Sequence, residues 1–228
     1  MVFYLRALIL AAVLPVIFFL VFIYRQDKLD KESPRMLWRL FTGGILCSIA
    51  ASSLEYLYEF LFGIARTVQG TFWEMFLGVG LVEEGCKFFV LRRRSWNSSE
   101  FNCRFDGVVY AVFVSLGFAC IENILYVFRY GLGSAVTRAL LSIPGHTVFG
   151  VFMGAFYSDA KLAQVSGRDF RGRTALALLV PMALHGFYDF CLTVGSKTMT
   201  EIFFSYALVL DVAAFVTVRR RSLTDRFL

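Results

Sequence analysis

The sequence predicts an all-α fold, a polytopic bundle of about seven transmembrane helices. Of its 228 residues, 58% are hydrophobic and only 18% are charged, whereas soluble domains average about 45–50% and about 25%. The apolar residues also fall in long runs that short polar segments separate. A helical bundle in lipid explains both properties, so we expect a multi-pass protein of the cell membrane.

Each predicted span is long enough to cross about 30 Å of hydrocarbon at about 1.5 Å per residue. Polar residues, and no small-residue cleavage site, follow the first apolar run, which favours a retained helix over a signal peptide. No linker or repeat divides the chain, so we expect a single transmembrane domain over residues 1–228. The spans are roughly residues 2–24, 38–62, 71–91, 106–128, 135–158, 173–195 and 200–218.

The distribution of Lys and Arg indicates the orientation. Seventeen of the 23 lie in the C-terminal tail or in the segments that follow the first, third and fifth spans. Because positive charges accumulate on the cytoplasmic side, we expect the N-terminus outside and the C-terminus in the cytoplasm. The net charge of +6 then reflects topology, and no basic patch with interleaved aromatic residues indicates nucleic-acid binding.

The third span contains ionisable residues, which cost about 2.5–3.5 kcal/mol each at the centre of a bilayer. Glu83 and Lys87 are four residues apart and share a helix face. They could form a structural pair in which Lys87 reaches toward the cytoplasmic interface. Such a pair does not explain Glu84. Two adjacent acids repel in a low dielectric and one tends to stay protonated, which suits general acid–base catalysis.

The second and fourth spans carry further polar residues. Glu122 and Asn123 lie deep in the fourth span, after a stripe of small residues that starts at Gly107. Asn123 is consistent with an interhelical hydrogen bond. Glu122 has no basic residue nearby in sequence, and an unpaired carboxylate favours function. Glu55 and Glu59 share a face near the outer end of the second span, where we expect an interfacial or structural role.

The only two histidines of the chain lie within the fifth and sixth spans. His185 precedes Asp189 by one helical turn, so the carboxylate can orient the imidazole. Counting residues from the start of each span places Glu83, His146 and His185 near the midplane. Glu122 and Asp189 come out nearer the outer side. We therefore expect these side chains to converge on one site inside the bundle.

Four stretches follow one another through four of the predicted helices. They are EEGCK at 83–87, FDGVVYAVFVSLGFACIENILY at 105–126, PGHTVFGVFMG at 144–154 and LHGFYDF at 184–190. Together they resemble the PrsW family of intramembrane proteases, which is related to the type II CAAX prenyl endopeptidases. Their order and their spread, from residue 83 to residue 190, make this resemblance more specific than any single motif.

The resemblance implies a membrane-embedded endopeptidase that uses a glutamate-activated water. Glu83 and Glu84 match the paired glutamates of the family, at least one of which would activate the water. His185 and Asp189 match a motif that is expected to hydrogen-bond the developing oxyanion.

Two positions depart from the pattern of the CAAX enzymes. An FxxxH motif there reads Phe118 to Glu122 here, which leaves Glu122 and His146 as alternative assistants of the base. Lys87 replaces an arginine at a different spacing, which implies a supporting, structural role.

The resemblance also implies the partner and the cofactor requirement. The substrate would be a single-pass membrane protein within the lipid bilayer, and the family is known for cleaving anti-sigma factors in stress signalling. No cofactor is expected. The residues themselves leave an alternative open, which is a zinc ion held by His146, His185 and either Glu122 or Glu83, with water as the fourth ligand.

Two further classes of protein also carry buried Glu and His. A transporter or proton relay is one, although such proteins often show an internal repeat, and none is found here. A non-catalytic scaffold is the other, and the paired Glu83 and Glu84 argue against it.

Overall fold

The computed structural model describes the backbone of residues 2–228 and the side chains from residue 5 onward, and within this range the regular structure is helical. A π-helical segment, Glu74–Gly80, joins the third and fourth α-helices. The α-helices are α1 (Val2–Gln26), α2 (Pro34–Phe62), α3 (Val68–Trp73), α4 (Leu81–Ser95), α5 (Asp106–Tyr130), α6 (Leu132–Leu140), α7 (Ser142–Val165), α8 (Arg171–Val194) and α9 (Lys197–Leu223).

Six stretches of the described chain are long and apolar enough to cross a membrane. They are α1 from Leu5 onward, α2, α5, α6 with α7, α8 and α9. The predicted multi-pass helical bundle is therefore confirmed. The orientation of the termini and the extent of the domain stay predictions.

The predicted third span, 71–91, has a different character from the other six. It lies within a run of helix from Val68 to Ser95 that passes through α3, the π-helical segment and α4. Four charged residues between positions 74 and 87 make this run too polar to count as an apolar span. Over the part of the chain that the structure describes, the bundle thus comprises six apolar spans and one polar helical run.

The predicted fifth span, 135–158, is interrupted. Leu141 lies between α6 and α7 with φ −120° and ψ −62°. Pro144 has no N–H to donate to the carbonyl of Leu140, and its ring disfavours a continuous helix through this point. His146 consequently lies near the beginning of α7, and not 11 residues into a helix that starts at residue 135.

Helix α5 is the most enclosed of the spans, and it packs against α1, α2 and α7. Glycine permits the close approach on two sides. A Cβ atom on Gly154 would collide with the carbonyl of Gly107, and one on Gly44 would collide with the carbonyl of Val114. The stripe of small residues that begins at Gly107 therefore lets α7 approach α5 closely.

The segment between α1 and α2 closes one end of the bundle together with the C-terminal tail. The Tyr110 hydroxyl donates to Glu32 Oε2 at 2.6 Å, and the amide of Phe105 donates to Asp225 Oδ1 at 2.8 Å. Asp27 is wholly buried in this segment. Burial raises the pKa of Asp27 to about 6 and also raises the pKa of Glu32.

Candidate active site

A buried lysine joins the two acids of α4. Lys87 Nζ donates to Glu83 Oε2 at 3.0 Å and to Glu84 Oε1 at 2.7 Å, and it lies 3.2 Å from His146 Nδ1. The ring of Phe118 covers the ammonium, 4.1 Å from its centroid. Lys87 is wholly buried, so the predicted reach toward the interface is wrong. The predicted repulsion between the glutamates gives way to a shared cation, because their helix face points into the bundle.

The second histidine lies between two carboxylates. His185 Nδ1 is 2.9 Å from Glu84 Oε1, and His185 Nε2 is 3.2 Å from Asp189 Oδ2. The ring of Phe149 stacks on the imidazole with 4.7 Å between centroids. Asp189 thus occupies the position, one turn from His185, that the sequence predicts for an orienting carboxylate.

The first histidine contacts a carboxylate that is itself paired. His146 Nε2 is 2.9 Å from Glu122 Oε2, and Arg138 Nη2 lies 3.0 Å from the same oxygen. The expectation that Glu122 lacks a basic partner is therefore wrong, because α6 packs on α5 and presents Arg138. Asn123 accepts from Arg138 Nε at 3.0 Å and donates to the carbonyl of Ala12 at 2.6 Å. Asn123 thus has the structural role that the sequence suggested.

Both imidazoles face a cavity of about 460 Å³. Their ring centroids are 5.4 Å apart, and both side chains are buried. Glu84 and Lys87 lie behind its wall. Glu55, for which the sequence predicted an interfacial or structural role, lies in the wall because it faces inward from α2. The acidic, basic and histidine side chains that line the cavity are Glu55, Glu83, Glu122, Arg138, His146, His185 and Asp189.

Two glycines bring α8 against the π-helical segment. A Cβ atom on Gly80 would lie 2.9 Å from the carbonyl oxygen of Met182, and one on Gly186 would lie 2.9 Å from Phe76 Cα. Side chains at either position would force the two helices apart. The adjacent residue, His185, is thereby held next to α4. π-Helical turns occur frequently at functional sites, and this one directly precedes the paired glutamates.

The site contains the donors of a catalytic zinc centre. Donor atoms of Glu83, His146 and His185 lie within 4.8 Å of one another, and two histidines with one carboxylate form a common catalytic zinc set. The Nε2 atom of each imidazole faces a carboxylate, Glu122 or Asp189, as is usual for histidines that bind a metal. These residues therefore fit zinc. Glu83 supplies the carboxylate of the set, whereas Glu122 lies at the other ring nitrogen of His146.

Known proteins match most of the chain. A family model described as PrsW family intramembrane metalloprotease matches residues 32–218. The protein called Protease PrsW in Bacillus subtilis (strain 168) is 36% identical over 191 residues, which cover 84% of this chain and 85% of the relative. Its namesake in Geobacillus kaustophilus (strain HTA426) is 35% identical over 186 residues, 82% of this chain and 80% of the relative. No solved structure matches the chain.

The description of the family as metalloproteases agrees with the zinc alternative that the sequence raised. The comparisons do not confirm the prediction that the protein needs no cofactor. The family model covers the π-helical segment and all of α4 to α8, so it spans every side chain of the site described above. The chain belongs to the PrsW family, and it is a multi-pass membrane protease.

Proposed function

We propose that the chain hydrolyses a peptide bond of a single-pass membrane protein, and that the water is activated at Glu83 between His146 and His185. The convergence of these three side chains on one cavity carries the proposal. A carboxylate and two imidazoles are groups that move protons and hold ligands near neutral pH. All three side chains are buried in the bundle, which limits the access of bulk water to them.

Glu83 is the member of the glutamate pair that faces the cavity. In the metal-free route, its carboxylate accepts a proton as the water attacks the carbonyl carbon of the substrate. Glu84 and Lys87 stay behind it, where the ammonium balances the charges of the two carboxylates.

His185 is the proposed donor to the oxyanion. Both of its ring nitrogens have carboxylate partners, so the oxyanion must replace one of them. Asp189 lines the cavity and Glu84 does not, which favours exchange at Nε2. On the other imidazole, Glu122 holds His146 by the nitrogen that faces away from Lys87.

Zinc is supported as the alternative by its donor set. Held by Glu83, His146 and His185, the ion would lower the pKa of a bound water and polarise the substrate carbonyl. Glu83 would then be a ligand. The Lys87 ammonium contacts Glu83 and His146, so lysine and zinc would compete for the same acceptors.

The substrate class follows from the position of the site. The cavity is lined by α2, α5, α6, α7 and α8, which belong to stretches long and apolar enough to span a membrane, and by the polar helix that carries Glu83. A membrane-anchored segment is therefore the substrate that we expect to reach it. On the strength of the family resemblance, we propose an anti-sigma factor as the physiological example.

Reconstituted protein tests the activity on a mixture of native membrane proteins, so that no single substrate has to be chosen. Wild-type protein is placed in vesicles made from bacterial membranes, and new protein N-termini are mapped by mass spectrometry. We expect them in single-pass proteins, within or beside the spanning segment. Failure to generate such termini, with and without added Zn²⁺, would overturn the proposal. Treatment with a chelator separates the two routes. Activity that is lost with the chelator and restored by Zn²⁺ would show that the ion is required. Activity that is retained without bound metal would show the metal-free glutamate route.

A further inference from the structure

Four carboxylates line the cavity, and one of them differs from the rest. Glu83 contacts Lys87, Glu122 contacts Arg138 and His146, and Asp189 contacts His185, each within 4 Å. Glu55 has no ion pair or side-chain hydrogen bond among the residues that the structure describes. Among the described residues, Glu55 is therefore the one acid of the cavity without an ion pair or a side-chain hydrogen bond.

Glu55 faces the cavity, whereas its neighbours on α2 face outward. Its helix neighbours Tyr56 and Phe60 are 72% and 75% exposed on the outer surface of the bundle, where lipid would cover them. Glu55 points the other way, into the cavity. An acidic side chain in a membrane span is costly unless a partner or a polar cavity accommodates it. Glu59, one turn further along the same helix, is exposed and does not line the cavity.

We propose that Glu55 determines substrate specificity by binding a basic side chain, Lys or Arg, of the segment that is cleaved. This inference rests on the proposed protease function. Glu55 and the Glu83–His146–His185 centre line the same cavity, so the bound side chain belongs to a residue close to the scissile bond. A basic group there supplies an ion-pair partner for Glu55. The charge-assisted hydrogen bond between the two groups is stronger than a neutral one. An acidic side chain at the same position cannot form an ion pair with Glu55 and is selected against.

The test measures the preference of the enzyme for Lys over Glu at each position that flanks the cleaved bond. A single-pass protein that wild-type enzyme cleaves is made as a set of reporters, in which each residue flanking the mapped bond is replaced in turn by Lys, Gln or Glu. We expect one position at which the kcat/KM for Lys exceeds that for Glu by about tenfold or more. Glu55→Gln should reduce that ratio to about twofold or less, and Glu55→Lys should reverse it.

Glu59→Gln and Glu59→Lys are the matched controls, because Glu59 lies on the same helix outside the cavity. They should keep the wild-type ratio. Wild-type enzyme that shows no preference for Lys at any flanking position would overturn the inference, as would a ratio that persists in Glu55→Gln. The ratio compares substrates on one enzyme, so partial unfolding of a variant does not imitate the effect. A wild-type enzyme that cleaves no membrane protein would instead refute the proposed function.

Discussion

Lys87 Nζ lies 2.7 Å from Glu84 Oε1, and both side chains are wholly buried. A buried ion pair is costly to desolvate, and the removal of one partner leaves the other charge uncompensated. Here one ammonium serves two carboxylates, since Glu83 is bound as well. Lys87 is thus the cation that the two adjacent acids share inside the bundle.

Lys87→Met should keep the shape of the side chain and remove its charge. We expect the free energy of unfolding in detergent to fall by about 3–5 kcal/mol. Lys197→Met, at the exposed start of α9, serves as the control and should change it little. Equal stability of the two variants would show that Lys87 does not balance the acids.

Gly154→Ala tests the close approach of α5 and α7. The added Cβ would collide with the carbonyl of Gly107, which is backbone and cannot rotate away. We expect a loss of about 1–3 kcal/mol in unfolding free energy, as for other overpacked sites. Gly172→Ala meets no atom within 4 Å, and it should be neutral. A stable Gly154→Ala variant would mean that the helices lie further apart.

Arg138→Met tests whether the Arg138–Glu122 pair, which holds His146, matters for turnover. Without the guanidinium, Glu122 loses its salt bridge and Asn123 loses a hydrogen bond. Loss of a group that orients a catalytic side chain typically costs about 10–100-fold, so we expect kcat to fall in that range and KM to change less. Arg129→Met, exposed near the end of α5, should behave as wild type. If only KM changed in Arg138→Met, the residue would bind substrate instead.

Asp27 should contribute to the pH dependence of the unfolding free energy. Its pKa is raised from 3.8 to about 6 in the folded protein, chiefly by burial, so the folded state binds a proton more tightly than the unfolded chain. This group therefore opposes folding in full above about pH 6, and its penalty disappears as the pH falls toward 4. Asp27→Asn should remove that part of the pH dependence of the unfolding free energy.

Asp30→Asn is the control for this measurement, because Asp30 lies in the same segment and is exposed. It should leave the pH dependence of the wild type intact. The unfolding free energy of the wild type and that of Asp27→Asn should change by different amounts between pH 4 and pH 6. Equal changes in the two proteins would contradict the assignment.

Much of the fold could be predicted because length and hydropathy determine which segments cross a membrane. The break at Leu141 was missed since hydropathy runs continuously through it, although Pro144 was a visible signal. The polar residues of the site were identified because an ionisable side chain in a span is rare. Their pairings were not, since a pairing such as Glu122 with Arg138 depends on how separate helices pack.

The position of Glu55 in the cavity wall could not be predicted, for a similar reason. Its spacing from Glu59 placed both acids on one face of α2, but spacing alone does not say which residue meets a cavity. Arg138 falls inside the predicted fifth span, 135–158. An arginine within a predicted span was itself a signal that a buried acid would be its partner.

The cleavage rate of the Glu83→Gln variant tests the central claim most directly. The amide keeps the size of the side chain but neither accepts a proton nor binds zinc as a carboxylate does, so both proposed routes fail. With a substrate that the wild type cleaves, in vesicles, we predict a loss of at least about 100-fold in kcat, while Glu59→Gln retains the wild-type rate. Cleavage by correctly folded Glu83→Gln at the wild-type rate would contradict the proposal that water is activated at Glu83.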